Sequence, residues 1–184
     1  MKRAVVGITG ASGSIYGIKL IKALKAHGVE VHLIISEYGK VNIELESTLS
    51  WSDLISQVDA YYDNDDLGAV MASGSQVFDV MFIVPCSMKT LSGLAYGFTD
   101  SLISRTGDVF LKEKRPLIVS PRETPLNEIH LRNMLKLAEM GVRIVPPMPA
   151  FYNNPETIDD IVSHLVMRLL DQVGIHDKGK RYLD

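Results

Sequence analysis

Cysteine is almost missing from this chain of 184 residues, which holds only Cys86. A lone thiol excludes an intramolecular disulfide framework and fits a reducing compartment. No apolar run reaches the length needed to span a bilayer. Met1-Lys2-Arg3 followed by apolar residues has the outline of a signal peptide. The apolar stretch is too short for one and glycines break it, so the cytoplasm is the expected location. A dominant charge sign is lacking too. Nineteen Lys and Arg against 22 Asp and Glu leave a formal charge of −3, with no basic field to hold nucleic acid. His27, His32, His130, His164 and His176 are scattered and none has a partner at metal-ligand spacing, so no metal is expected. There is no internal repeat and no domain-scale linker. Residues 1–184 are expected to form one domain with a sizeable core.

What is present is an alternation of strand and helix. Residues 3–8 read as a buried strand that runs into Gly10-Ala11-Ser12-Gly13-Ser14. Ile15, Ile18, Leu20, Ile21 and Leu24 then form a helical stripe over 15–27, ended by Gly28. Residues 29–35 read as a second strand, with Ser36 as N-cap of a helix through Val41 to Glu46. Residues 49–76 are mixed, and Asp63-Asn64-Asp65-Asp66 reads as a solvated turn. A third strand is expected at 80–84, with a turn at 85–90 and a helix beginning near Ser87 to Thr90. Further along come a helix over 98–112, a strand at 116–120 and a turn at 121–125. A helix over 126–140, a strand at 142–145 and a closing helix over 156–173 complete the pattern. Pro146-Pro147-Met148-Pro149 breaks regular structure between the last two.

This order implies an α/β fold: an open parallel sheet with helices on both faces, in a Rossmann-like three-layer sandwich. Ligands of such folds bind beyond the carboxyl ends of the strands. Thr9 to Ser14, Ser36, Ser87 to Thr90 and Arg122 to Glu123 all fall at those ends. Glycines allow close backbone approach, and the N–H groups opening the first helix favour an anion. A phosphorylated cofactor within the first twenty residues is therefore expected. Ser12, Ser36, Ser87 and Thr90 either cap helices or hold that phosphate. Arg122-Glu123 is either a surface ion pair or a phosphate-binding arginine beside a proton-transfer carboxylate. Arg105 and Lys112, seven apart, share a helix face. Arg168 interrupts the apolar stripe Ile161, Leu165, Leu169, where it either snorkels or binds an anion. Tyr152 follows the proline-broken loop as a packed aromatic or a lid residue. Cys86 reads as a small buried residue, with a nucleophile as the alternative.

Gly10-Ala11-Ser12-Gly13, Pro85-Cys86-Ser87-Met88-Lys89-Thr90-Leu91, Leu111-Lys112-Glu113-Lys114-Arg115-Pro116-Leu117 and Pro121-Arg122-Glu123-Thr124-Pro125-Leu126 resemble the signatures of UbiX-type flavin prenyltransferases. The resemblance spans nearly the whole chain, and its second and fourth strings are specific. The family was formerly described as phenylacrylic or hydroxybenzoate decarboxylase subunits. The resemblance implies a flavodoxin-like or Rossmann-like fold and metal-independent transfer of a dimethylallyl group from dimethylallyl phosphate to N5 and C6 of reduced FMN. The product, prenylated FMN, would serve a UbiD-type decarboxylase. It also implies a homo-oligomer, a dodecamer, with sites at subunit junctions. By motif, Gly10, Ala11, Ser12, Ser36, Ser87, Met88, Lys89, Thr90 and Arg122 would hold FMN. Ser12, Glu46, Glu123 and Lys112 would be catalytic, and Arg105, Lys112, Tyr152 and Arg168 would surround the dimethylallyl phosphate. Tyr182 would stand where the family often has a C-terminal tryptophan.

Three other readings compete. A cysteine-type FMN-dependent decarboxylase would need a histidine near residues 40–60 and a Pro-x-Met-Asn string. The chain has Pro147-Met148-Pro149-Ala150 and no such histidine. An NAD(P)-binding reductase would need a Tyr-x-x-x-Lys pair, which is absent. A non-catalytic flavin carrier or assembly subunit remains as the third.

Overall fold

Successive side chains of a strand point to opposite faces of its sheet. In this chain both faces are apolar, as a sheet covered on both sides requires. The computed structural model describes residues 1–177, and Tyr182 lies outside them. Six parallel strands run β1 (Arg3–Ile8), β2 (Glu30–Ile35), β3 (Ala60–Asp63), β4 (Val80–Cys86), β5 (Leu117–Pro121) and β6 (Arg143–Ile144). Their spatial order is β3-β2-β1-β4-β5-β6. This is the doubly wound order, with its switch point between β1 and β4.

One face is covered by α1 (Ser14–Ala26), α2 (Glu37–Glu46), α3 (Trp51–Ile55) and the closing α7 (Ile158–Asp171). There Val6, Leu33 and Phe82 meet Leu20, Ile43, Leu54 and Leu169. The other face is covered by α4 (Met88–Tyr96), α5 (Leu102–Lys112), α6 (Glu128–Glu139) and a 3-10 turn at Val70–Ala72. There Val5, Ile83 and Val119 meet Leu91, Ile103, Phe110 and Leu137. The arrangement is the α/β three-layer sandwich expected from the alternation. No helix among the described residues is long and apolar enough to cross a membrane.

Four expectations need correction. Residues 49–76 contain α3 and the edge strand β3, which pairs with β2 from His32–Ala60 to Ile35–Asp63. The acidic tract is not simply a solvated turn. Asp63 accepts from the Tyr61 hydroxyl at 2.6 Å. The Asn64 carbonyl accepts from the Leu102 N–H at 2.7 Å, and its Oδ1 from the Ile103 N–H at 3.1 Å. Asn64 thus satisfies orphan donors at the start of α5. That helix begins at Leu102 rather than near 98, because Gly97 turns out of α4 with φ 68° and Ser101 caps α5. The last strand shrinks to two residues, and the other element ends stay in place or move by at most four residues.

Candidate active site

The carboxyl ends of β1 and β4 are tied together by one side chain. Thr9, fully buried after β1, donates its hydroxyl to the Pro85 carbonyl and accepts from the Ser87 N–H, both at 2.8 Å. Ser87 then caps α4, accepting from the Thr90 N–H. Beyond β5 the Arg122 N–H donates to the Cys86 carbonyl at 3.1 Å. The Arg122 Nε donates to the Ser12 carbonyl at 3.2 Å. These bonds draw three chain-distant turns around one cavity of about 320 Å³, lined by Gly10, Ala11, Ser12, Asn42, Ser87, Met88, Arg122 and Glu123.

Gly10 is required where the turn passes under α2: a Cβ there would lie 2.5 Å from the Cβ of Tyr38. Gly13 has φ 104°, a conformation that favours glycine, and α1 has no N-cap side chain of its own. The missing cap comes from α2. Glu46 accepts from the Gly13 N–H, the Ser14 N–H and the Ser14 hydroxyl, each at 2.9 Å. Partial burial pushes its carboxyl pKa up. Bonds from the Ser12 hydroxyl and from Gly13 and Ser14 outweigh this and hold it below the usual value. The anion expected at the start of α1 is therefore Glu46 itself. A ligand phosphate is left with the earlier part of the turn, Gly10 to Ser12.

Glu123 differs. It is exposed at the cavity and accepts from the Thr124 N–H at 3.0 Å. Cys86 is fully buried, and burial pushes its thiol up to about 12, so it is a protonated core residue and not a nucleophile. Arg122 is the cation lining the cavity. With its Nε on Ser12, its two terminal nitrogens make no hydrogen bond among the described residues. Hydroxyls, backbone N–H groups and a guanidinium are the donors that a phosphate needs. The cavity therefore fits the phosphate end of a flavin mononucleotide.

A family model described as Flavoprotein matches residues 1–170. The flavin prenyltransferase LpdB of Lactiplantibacillus plantarum is 53% identical over 182 residues, covering 98% of this chain and 97% of the relative. The chain belongs to the flavin prenyltransferase family. A crystal structure of AnUbiX (PadA1) in complex with FMN and dimethylallyl pyrophosphate superimposes with a TM-score of 0.98. It is 43% identical and covers 100% of this chain and 98% of its own. A dodecameric FMN-dependent UbiX-like decarboxylase from Escherichia coli O157:H7 superimposes with a TM-score of 0.97. It is 48% identical, covering 99% of this chain and 100% of its own.

Within this flavin prenyltransferase-family chain, six of the motif-assigned flavin residues line the cavity: Gly10, Ala11, Ser12, Ser87, Met88 and Arg122. Ser36, Lys89 and Thr90 do not. The Ser36 hydroxyl accepts from the Gly39 N–H as the α2 cap, and Thr90 turns to Ser87. Lys89 pairs with Asp100 at 2.9 Å beside a second cavity, on the α5 side of α4. Asn42 and Thr9 are site residues that motif reading did not single out. Asn42 lies four residues before Glu46, so both occupy one face of α2. That spacing was a readable signal.

The residues matched to the dimethylallyl phosphate fall into two groups on opposite faces of the sheet, Arg105 and Lys112 on α5 and Tyr152 and Arg168 at α7. Lys112 pairs with Glu113 at 2.9 Å at the end of α5. Nearby, Arg115 donates to the Gly74 and Gln76 carbonyls, and Arg3, which opens β1, donates to that of Val77. Lys112 therefore sits at the amino edge of the sheet, roughly one strand length, about 17 Å, from the crevice. Arg105 lies two turns earlier on α5 and faces Asp108 at 3.5 Å. Tyr152 follows the proline-rich segment and bonds to His164 of α7 at 2.8 Å. Arg168, half exposed on α7, pairs with Asp171 at 2.9 Å.

Proposed function

We propose that this protein transfers the dimethylallyl group of dimethylallyl phosphate to N5 and C6 of reduced FMN, yielding prenylated FMN for a UbiD-type decarboxylase. The observation that carries this reading is the convergence of Gly10–Ser12, Ser87–Met88 and Arg122–Glu123 on one cavity at the β1/β4 switch point. Reduced FMN, when bound, supplies the electron-rich ring that takes the dimethylallyl group. Gly10, Ala11, Ser12, Ser87, Met88 and Arg122 hold it, with Ser36, Lys89 and Thr90 steadying the surrounding turns. Glu46 takes the Ser12 hydroxyl as donor and so fixes its direction. Glu123 accepts and returns the proton that the two-bond attachment requires. Lys112, Arg105, Tyr152 and Arg168 meet the donor phosphate, which gains charge as its C–O bond breaks. Fixed cations at that point lower the barrier.

Arg105 and Lys112 on α5 lie on the opposite face of the sheet from Tyr152 and Arg168 at α7, so each site is completed by other copies in a homo-oligomer. A dodecamer is the assembly we assign, by analogy with the Escherichia coli neighbour. We place the protein in the cytoplasm, in line with its single buried thiol. Anaerobic incubation with reduced FMN and dimethylallyl phosphate tests the reaction. The flavin should gain one C5H8 unit by mass, and an unmodified flavin overturns the proposal. The Escherichia coli neighbour is described as a decarboxylase, so the same preparation should release no carbon dioxide from a phenolic acid without a partner enzyme.

A further inference from the structure

Lysine carries its charge on a flexible four-carbon stem, so a lysine that meets a phosphate needs its position imposed. Lys112 is the last residue of α5, and two features restrain its ammonium. Glu113, the next residue, accepts from the Lys112 Nζ at 2.9 Å. That bond holds the Glu113 carboxyl below its usual value, so it stays an anion at neutral pH. The second feature is the loop of residues 73–76, between the 3-10 turn and β4. Arg115 pins this loop, donating to the Gly74 carbonyl at 2.7 Å and to the Gln76 carbonyl at 2.6 Å. Arg115 also stands 4.0 Å from the other carboxylate oxygen of Glu113. Gly74 faces the Lys112–Glu113 pair. A Cβ there would collide with the Glu113 Oε1 and lie 2.9 Å from the Lys112 Nζ. The ends of both side chains thus occupy the space that a side chain at position 74 would need. An ammonium has three protons to donate. One goes to Glu113, and two remain for a phosphate.

We infer that Glu113 and Gly74 are positioning residues for Lys112: the carboxylate holds the ammonium from the side, the bare backbone of the pinned loop gives it room, and together they present it to the donor phosphate at a neighbouring copy. This rests on the reading that Lys112 meets that phosphate. A carboxylate close to a phosphate site repels the anion. Removing a bystander carboxylate would therefore tighten donor binding, whereas removing one that places the lysine weakens it. The sign of the change separates the two.

The test is calorimetric titration of dimethylallyl phosphate into the assembled protein loaded with oxidised FMN, which reads binding without turnover. Lys112→Ala should weaken donor binding about tenfold or more, the size of one charge-assisted hydrogen bond. Glu113→Ala should weaken it roughly threefold to tenfold, the range for freeing one long side chain. Glu113→Gln keeps an acceptor for the ammonium and should stay near wild type. Gly74→Ala displaces the two charged ends and should match Glu113→Ala. Adding Glu113→Ala or Gly74→Ala to Lys112→Ala should cost nothing further. Thermal melting and FMN affinity should stay near wild type throughout. A Glu113→Ala protein that binds the donor as tightly as wild type, or more tightly, overturns the inference. A further loss in the Lys112→Ala background overturns it as well. Wild-type donor affinity in Lys112→Ala sinks the underlying phosphate-site reading instead.

Discussion

Two glutamates flank the crevice, and their surroundings separate their chemistry. Glu46 is held by the Gly13 and Ser14 N–H groups and by two serine hydroxyls, and its carboxyl sits below the usual value. A carboxylate stabilised in that way is a weak base and a strong anchor. A group whose folded pKa is depressed stabilises the fold fully above its unfolded value. That contribution is lost as pH falls through the folded value. Glu46→Gln should therefore be less stable than wild type at neutral pH, and the gap should begin to narrow as pH falls below the ordinary glutamate value of about 4.3. Urea unfolding followed at stepwise lower pH reads this, and a gap that persists in acid contradicts it. Glu123 is exposed at the cavity with one backbone donor, and the proposed reading gives it the proton transfer. Glu123→Gln keeps the size and loses the proton, so FMN should still bind while product formation drops by about 10²-fold or more. Flavin titration beside a product assay separates the two. Unchanged turnover returns Glu123 to a surface role.

Among the elements, the crevice depends on how β1, β4 and β5 end. Thr9 ties the ends of β1 and β4 to each other, and Arg122 ties the turn after β5 to Ser12 and Cys86. Thr9→Val preserves shape and leaves the Ser87 N–H without that acceptor, while the Pro85 carbonyl keeps only the backbone N–H of residue 9 at 3.3 Å. It should cost about 1–3 kcal/mol in stability, the penalty of unmet buried polar groups. FMN affinity should fall with it, because Ser87 opens α4 at the cavity wall. Thermal melting and a flavin titration check the two effects, and a stable variant with normal FMN affinity would contradict this account. The start of α5 is held in a comparable way by Asn64, thirty-eight residues upstream of Leu102 in sequence.

For the whole molecule, the proposed reading makes catalysis a property of the assembly, because Lys112 stands apart from the crevice. Arg122→Ala spoils the crevice of the chain that carries it. Lys112→Ala should remove the donor contact that, on the same reading, the chain offers to a neighbour. Each variant alone should be nearly inactive. Co-expressed with different tags and purified as mixed oligomers, the two should regain activity, because some sites then pair an intact crevice with an intact lysine. Mixed oligomers that stay inactive would show that each chain builds its site alone. Native mass spectrometry of the same samples reads the number of copies.

Local pattern was enough to read most of this protein. Short continuous apolar runs located the buried strands and period-3.6 spacing the long helices, since strands covered on both faces and helices covered on one carry those patterns. The Gly10–Ser12, Ser87–Met88 and Arg122–Glu123 turns were legible for a similar reason: polar residues stood where each strand ended. Strand β3 was not legible. It has four residues at the sheet edge, and its pairing with β2 leaves no alternation long enough to see. The partner of the first helix was not legible either. Glu46 meets Gly13 across 33 positions, a contact that exists only once α2 has packed over the turn. The Tyr152–His164 bond likewise needs the proline-rich segment folded against α7. Sequence alone settles what repeats along the chain. Which carboxylate is anchored, which is exposed, and which cations stand apart from the crevice depend on distances between segments that only the packed sheet and helices bring together.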